Sequence, residues 1–448
     1  MGRGSDLSGS RIVRIGAQNP GESVFNGGEN ERPCGVHAVN SQQAIDEADN
    51  ILQGAEFTQK SFAQTMRREL IERLAESHRT GVPLRVFAGY DASRPNLHLG
   101  HTITMRKLRF FQELGHEVIF LVGTVTAQIG DPSDRLYERP RIPLDKVVSA
   151  ASTFVEQMSL VLDPDRTTVM YNGDWLSDLP LSDVLAVASA FTVQQVTSPA
   201  AVRDRMKSSK PVGLHELLYP LMQGYDALHL RADVQLGTVG PIFNILAGRR
   251  LQRLYGQRPC VGVTYPTLWG TKGHRRMSKR EGTHIALAEK PSEQFAKVMS
   301  IDDETMRQWI TLVSSWPPEE VRARLEGWRS GELHPMALKQ DLAFDIVRVY
   351  HGEEAAAKAK EGFLPGHRGD PDPSMAVPLI ADPGGILDVL HATGTVPSRQ
   401  QARRLLLSGA VRVNGGKVFE EDHRVSSGDL ISVGPRRLYV LQPGETRP

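Results

Sequence analysis

Two histidines, in His98-Leu99-Gly100-His101, stand where an apolar run gives way to a helical one, and a cluster of cations, Arg276-Met277-Ser278-Lys279-Arg280, lies far downstream. Such groups suit displacement at an α-phosphate. Imidazole N–H groups donate to phosphate oxygens as negative charge builds on them, and Gly100 lets the backbone come close. A reaction of this kind depends on positioning and charge stabilisation and requires no protein nucleophile. Taken singly, the same residues also read as a pair of loop histidines and a solvated basic loop.

The surrounding pattern says how the histidines are held. Leu84 to Ala88 reads as a strand, Gly89 and Pro95 break it, and Thr102 to Leu114 reads as a helix with Leu108, Phe111 and Leu114 on one face and Gly115 at its end. Val118 to Val122 is apolar without alternation, as expected of a parallel strand covered on both faces. In a strand–helix–strand unit the ligand sits at the carboxyl ends of the strands, where the helix N-terminus offers N–H groups to phosphate. Thr167 to Tyr171 and Val261 to Thr264 read as further strands between amphipathic stretches, so the fold class is α/β, a Rossmann-type doubly wound parallel sheet.

At 448 residues the chain is too long for one small core. It holds no apolar run long enough to span a bilayer and no charged-then-apolar leader, so a cytoplasmic protein without a membrane partner is expected. Cys34 and Cys260 are too few for a cysteine zinc site, and no protein-bound metal is expected. A net charge of +1 is weak for a general nucleic-acid binder, so any RNA contact must rest on a local patch.

Regions follow in order. Residues 1–55 read as a mobile extension with one helix near Ala44 to Leu52, and residues 56–288 carry the strand pattern, with a helical insertion at about 140–232. Residues 289–363 are helical by period. Residues 364–385 cluster Pro and Gly as a linker does, and residues 386–448 form a compact basic α+β module. In that module Ser398 to Leu406 is a helix carrying Arg399, Arg403 and Arg404. Val411 to Val418 reads as strand, Asn-Gly turn, strand, carrying Arg412 and Lys417. The five cations form a stripe matched to an RNA backbone, or else a solvated basic face.

Four blocks in order carry a resemblance: Tyr90 to Thr102 around the histidines, Ile129-Gly130-Asp131-Pro132-Ser133, Leu218 to Asp226, and Met277-Ser278-Lys279. The chain resembles the class I aminoacyl-tRNA synthetases, and within them the bacterial tyrosyl-tRNA synthetases, from about Phe57 to the C-terminus. The resemblance implies a catalytic domain, a helical anticodon-side domain and an S4 RNA-binding domain. It implies a homodimer, with tRNA as partner, tyrosine or an analogue as substrate, and ATP with Mg²⁺ as substrate complex. It makes His98, His101 and Lys279 catalytic, and places Asp91, Ser93, Gly100, Arg276, Ser278 and Arg280 at the nucleotide. Asp131, Tyr219 and Gln223 correspond to the site of the α-ammonium group, and Asp226 to the acceptor of the substrate phenol.

Three departures stand against this pattern. Phe87 occupies a position where many of the bacterial enzymes have a tyrosine that shares the substrate hydroxyl. The family's Gly-Gly-[Thr/Ser]-Asp-Gln appears as Gly237-Thr238-Val239-Gly240-Pro241, so the ribose-binding Asp is Gly240 and the Gln near the substrate carboxyl is Pro241. Ala127, Gln128 and Asp134 also differ from the usual residues. Three readings follow: a tyrosine–tRNA ligase, a specialised paralogue activating a modified or different amino acid, or a non-catalytic RNA-binding protein on the same fold.

Overall fold

The computed structural model describes residues 39–133, 141–277, 282–363, 376–380, 383–392, 396, 398–414, 416–433 and 437–442. The chain forms two compact units, Met1–Ala356 and Ala357–Pro448.

The first unit is organised by a five-stranded parallel sheet of β1 (Arg85–Asp91), β2 (Glu117–Gly123), β3 (Thr167–Tyr171), β4 (Val234–Thr238) and β5 (Val261–Tyr265), in the order β3-β2-β1-β4-β5. The four expected strands are present within a few residues. The fifth, β4, escaped the reading because Gln235 and Gly237 interrupt its apolar pattern, yet it pairs with β1 at the sheet centre. The chain winds outward from β1 through β2 to β3, then returns to start β4, so the switch in direction falls between β1 and β4. Ligands of such sheets bind at the carboxyl ends of the strands there.

Residues 39–55 are not a mobile appendage. Helix α1 (Val39–Leu52) packs on α2 (Lys60–Thr80), with Ala44, Ala48 and Ile51 fully buried and Arg67 clamping Asp49 through two hydrogen bonds of 2.8 and 3.0 Å. The alanines made its apolar stripe faint. Helix α3 (Leu99–Glu113) starts three residues earlier than its apolar period suggested, because His98 caps it. After β2 come α4 (Val125–Ile129), α5 (Leu144–Ala151), α6 (Phe154–Met158), α7 (Gly173–Leu176), α8 (Leu181–Ser189), α9 (Val193–Val196), α10 (Ala200–Lys207) and the longer α11 (Leu214–His229).

Helix α12 (Ile242–Leu254) lies so close to α11 that a Cβ on Gly224 would stand 2.9 Å from the Gly248 backbone nitrogen. The hairpin β6 (Trp269–Gly270) and β7 (Gly273–Arg276) precedes the helices α13 (Pro291–Met299), α14 (Asp303–Leu312), α15 (Pro318–Ser330) and α16 (Pro335–His351). α17 (Glu353–Phe363) spans the boundary between the units.

The second unit contains β8 (Val377–Ile380), β9 (Gly384–Gly385), α18 (Ile386–Ala392), α19 (Arg399–Leu407), β10 (Val411–Val413), β11 (Gly416–Lys417), β12 (Arg424–Val425), β13 (Leu430–Val433) and β14 (Arg437–Gln442). Its main sheet runs β11-β10-β13-β14-β8 around a core that includes Ile386, Leu390, Leu406, Val411 and Ile431. The expected linker is therefore too long at its C-terminal side. Residues 377–380 form an edge strand parallel to β14, and Leu379 enters the core. Pro378 disguised that strand, being tolerated where an edge needs no further donor.

Candidate active site

The His-Leu-Gly-His stretch is a helix cap. Nδ1 of His98 accepts from the Gly100 N–H at 3.1 Å, and Nδ1 of His101 accepts from the His98 N–H at 3.0 Å. The rings stack with centroids 3.8 Å apart. Because both Nδ1 lone pairs are used as acceptors, each neutral ring carries its proton on Nε2, and both imidazoles are thereby fixed as Nε2–H donors. A side chain at position 100 would crowd this pair, since its Cβ would lie 3.0 Å from Cε1 of His98.

The segment that follows the distant basic stretch is tied to the same place by backbone. Residues on either side of His98 pair antiparallel with the segment that follows the cations: Leu99 N–H donates to Ile285 O at 3.1 Å, Leu287 N–H donates to Leu97 O at 3.0 Å, and His98 bridges Ala286. Met277 is buried, and the Arg276 guanidinium lies within electrostatic reach of the Asp131 carboxylate. The expected roles of Ser278, Lys279 and Arg280, and the departure at Asp134, fall outside the described residues.

Gly89 is exposed in the central strand although Ala88 and Tyr90 on either side are buried. By the two-residue period of a strand, Gly89 shares its face with Phe87 and Asp91. On α11, Tyr219, Gln223 and Asp226 follow at i, i+4 and i+7, which puts them on one helix face. Tyr219 Oη donates to Asp91 Oδ2 at 3.0 Å, joining that face to the end of β1. Gln223 Oε1 accepts from Asn244 Nδ2 at 2.9 Å, which brings in α12. Asp131 accepts from the Ser133 N–H at 2.9 Å in a local turn, and Ser93 N–H donates to Asp91 O at 2.8 Å.

A buried polar chain runs behind these residues, and sequence reasoning missed its hub. Asn172 is wholly buried at the end of β3. Its Oδ1 accepts from the N–H groups of Thr124 and Val125 at 2.8 and 3.0 Å. Its Nδ2 donates to Thr126 Oγ1 at 2.9 Å and to Asp226 Oδ2 at 3.1 Å. Thr126 donates onward to Asp91 Oδ1 at 2.7 Å, and Trp175 Nε1 donates to Asp226 Oδ1 at 2.9 Å. Burial pushes the Asp226 carboxyl up to about 8; the N–H groups of Asn172 and Trp175 oppose that rise, and the Asp91 carboxylate adds to it. The available signal was positional: Asn172 and Trp175 follow the carboxyl end of a parallel strand, where such sites form.

The altered residues are also placed. Phe87 is buried in one apolar cluster with Trp175, Leu221 and Tyr225. Its neighbour across β4, Gln235, is 2% exposed, and its Oε1 has no hydrogen-bond partner among the described residues. Thr238 ends β4, Pro241 stands at the N-cap position of α12 without a side-chain cap, and a Cβ on Gly240 would meet nothing within 4 Å. In the second unit Arg399 pairs with Asp388, and Arg403 pairs with Glu421 at 2.6 Å. Arg404 and Lys417 are exposed. Among the described residues no cluster of three His, Cys, Asp or Glu side chains could hold a metal ion, and no helix is long and apolar enough to cross a membrane.

A five-stranded parallel sheet with a histidine-capped helix following its central strand is the frame in which a class I synthetase is to be sought. The chain belongs to the family of tRNA synthetases class I (W and Y), which it matches over residues 79–364, and residues 385–431 match the S4 domain. Among its relatives, the tyrosine–tRNA ligase of Nitratidesulfovibrio vulgaris is 40% identical over 83% of this chain and 95% of its own length. That of Aquifex aeolicus is 39% identical over 84% and 95%. The crystal structure of an Archaeoglobus fulgidus tyrosyl-tRNA synthetase complexed with L-tyrosine shares the fold, with a TM-score of 0.55 and 21% identity over 71% of this chain and 99% of that one.

Proposed function

We propose that this chain is a tyrosine–tRNA ligase, which condenses tyrosine with ATP to tyrosyl-adenylate, releases pyrophosphate and transfers the tyrosyl group to tRNA. The observation that carries this reading is the pair of imidazoles locked as Nε2–H donors at the N-terminus of α3, the helix that follows the central strand with its exposed Gly89. ATP enters with Mg²⁺ as the substrate complex. His98 and His101 donate to phosphate oxygens as charge develops, with Lys279 and Arg276 as the further cations on the pyrophosphate. The carboxylate of Asp131, with Tyr219 and Gln223, suits an ammonium group, Asp226 suits a phenol, and Asp91 stays with the nucleotide while accepting from Tyr219. Residues 289–363 serve the anticodon side, and the S4 module binds the tRNA backbone.

A homodimer is part of this proposal. Phe191, Gln195, Phe243, Leu246, Ala247, Arg250 and Arg253 line an open cleft of about 290 Å³ on the α9 and α12 surface, and Leu246 and Leu254 are exposed beside it. A second copy of the same surface would cover that apolar area.

One observation favours the paralogue reading: Phe87, where a second phenol partner is expected, is an apolar side chain buried in a hydrophobic cluster, so discrimination rests on fewer polar groups. Amino-acid-dependent ATP–pyrophosphate exchange decides between them. Exchange driven by tyrosine is the expected result. Exchange driven only by another amino acid overturns the tyrosine assignment in favour of the paralogue, and exchange with none overturns both.

A further inference from the structure

The second unit carries a surface feature that the arginines of α19 do not explain. Two of those arginines already face acids, Arg399 on Asp388 and Arg403 on Glu421. The β10–β11 hairpin instead sets Arg412 directly opposite Lys417. Residues directly opposite on an antiparallel pair carry their side chains on the same face, so the two cations lie side by side there. Phe419 follows two residues after Lys417 and is 51% exposed, a large apolar group outside the core of this unit. Lys417 and Phe419 meet over Gly409: a Cβ there would lie 3.1 Å from Cε1 of Phe419 and 3.6 Å from Cδ of Lys417. Gly409 has φ of +67°, a conformation that excludes most side chains, so the ring lies against bare backbone. Of the acids that follow in sequence, Glu421 is engaged by Arg403.

We propose that Phe419 is a stacking platform for an unpaired base of the bound RNA, with Lys417 and Arg412 on the flanking phosphates. The inference rests on the RNA-binding reading of the S4 module and goes beyond it, because a backbone-tracking stripe needs no aromatic. An exposed ring beside paired cations is the combination by which single-stranded RNA is held: every base has a face to stack, and its phosphates supply the charge. A second copy of this chain fits the patch poorly, since it would bring the same cations against Arg412 and Lys417.

The test measures the affinity of the full-length chain for a tRNA(Tyr) transcript across a salt series. Phe419→Ala is expected to weaken binding about tenfold while leaving the slope of log K against log salt unchanged, because no phosphate contact is lost. Phe419→Tyr is expected to restore binding, and Phe419→Leu, apolar but without a π-face, is not. Lys417→Ala is expected to weaken binding and reduce the slope by about one. Full affinity in Phe419→Ala, with Lys417→Ala impaired, overturns the platform and leaves the module as a backbone binder. Full affinity in both overturns the RNA-binding reading as well. Equal rescue by Leu and Tyr also overturns the platform, by assigning Phe419 to packing. Matching melting curves for the full-length variants show that each is folded.

Discussion

The backbone N–H of His98 donates to Nδ1 of His101 at 3.0 Å, so each histidine of the pair depends on the other for its place. His98 does two jobs. Its Nδ1 caps α3, and the proposed role falls to its Nε2–H; replacing it by alanine would remove both, costing about 1 kcal/mol of stability for the cap alone. Asparagine is an accepted cap residue, so His98→Asn is expected to retain the melting temperature and still lose activation. His101→Ala is expected to slow adenylate formation by about 10²- to 10³-fold. Single-turnover pyrophosphate release measures both, and undiminished rates would remove the imidazoles from the mechanism.

Gly123 lies opposite Asp91 in the β1–β2 register, and a Cβ there would fall 2.3 Å from Asp91 Oδ1 and 2.4 Å from Thr126 Oγ1. Gly123→Ala must push one of these groups aside. The expected cost is about 1–3 kcal/mol by denaturant unfolding, with a raised KM for the amino acid because Asp91 also positions Tyr219. A variant with unchanged stability and KM would show that the Asp91 contacts can shift freely.

Asn172→Ala leaves the N–H groups of Thr124 and Val125 and one oxygen of Asp226 without their partner. Buried groups left unmade cost about 1–3 kcal/mol each, so this substitution should be among the most destabilising near the pocket. Binding of tyrosine, followed by calorimetry, should weaken more than binding of ATP, since the hub bonds Asp226 directly and reaches Asp91 only through Thr126.

Asp226 gives the protein a pH dependence of definite sign. Its folded-state pKa of about 8 lies above the ordinary carboxylate value, so between roughly pH 4 and pH 8 the folded chain holds a proton that the unfolded chain has released. Stability attributable to this group is therefore greatest below the lower limit and falls as pH rises to the upper one. Without substrate, Asp226→Asn should melt at a temperature that declines less than wild type between pH 5 and 8.5, while tyrosine-dependent exchange is lost. Parallel pH profiles of melting would place the titration elsewhere.

Strand β8 pairs with β14, so the module extends back past residue 385. A chain ending at Phe363 is expected to keep pyrophosphate exchange and lose most tRNA affinity. A chain ending at residue 385 would retain β8 without its partner and is expected to aggregate more readily. Gel filtration and filter binding on the two truncations separate these outcomes. The same chromatography applied to Leu246→Asp tests the dimer face, with a monomer expected.

Much of the candidate site was legible in residue order, because its parts are local. A strand, a glycine and a helix start lie within about fifteen residues, the local pattern expected of a phosphate site, and the i, i+4, i+7 spacing of Tyr219, Gln223 and Asp226 is enough to align them. The hairpin around Asn414 was readable for the same reason. Only the tertiary structure decided what those parts meet. That Ile285 to Leu287 pairs with Leu97 to Leu99, that β4 lies beside β1, and that Asn172 joins Asp91 to Asp226 are contacts between segments far apart in the chain, and no local period encodes them. The burial that lifts Asp226 arises from the same assembly, since a carboxyl loses water only when several elements close around it.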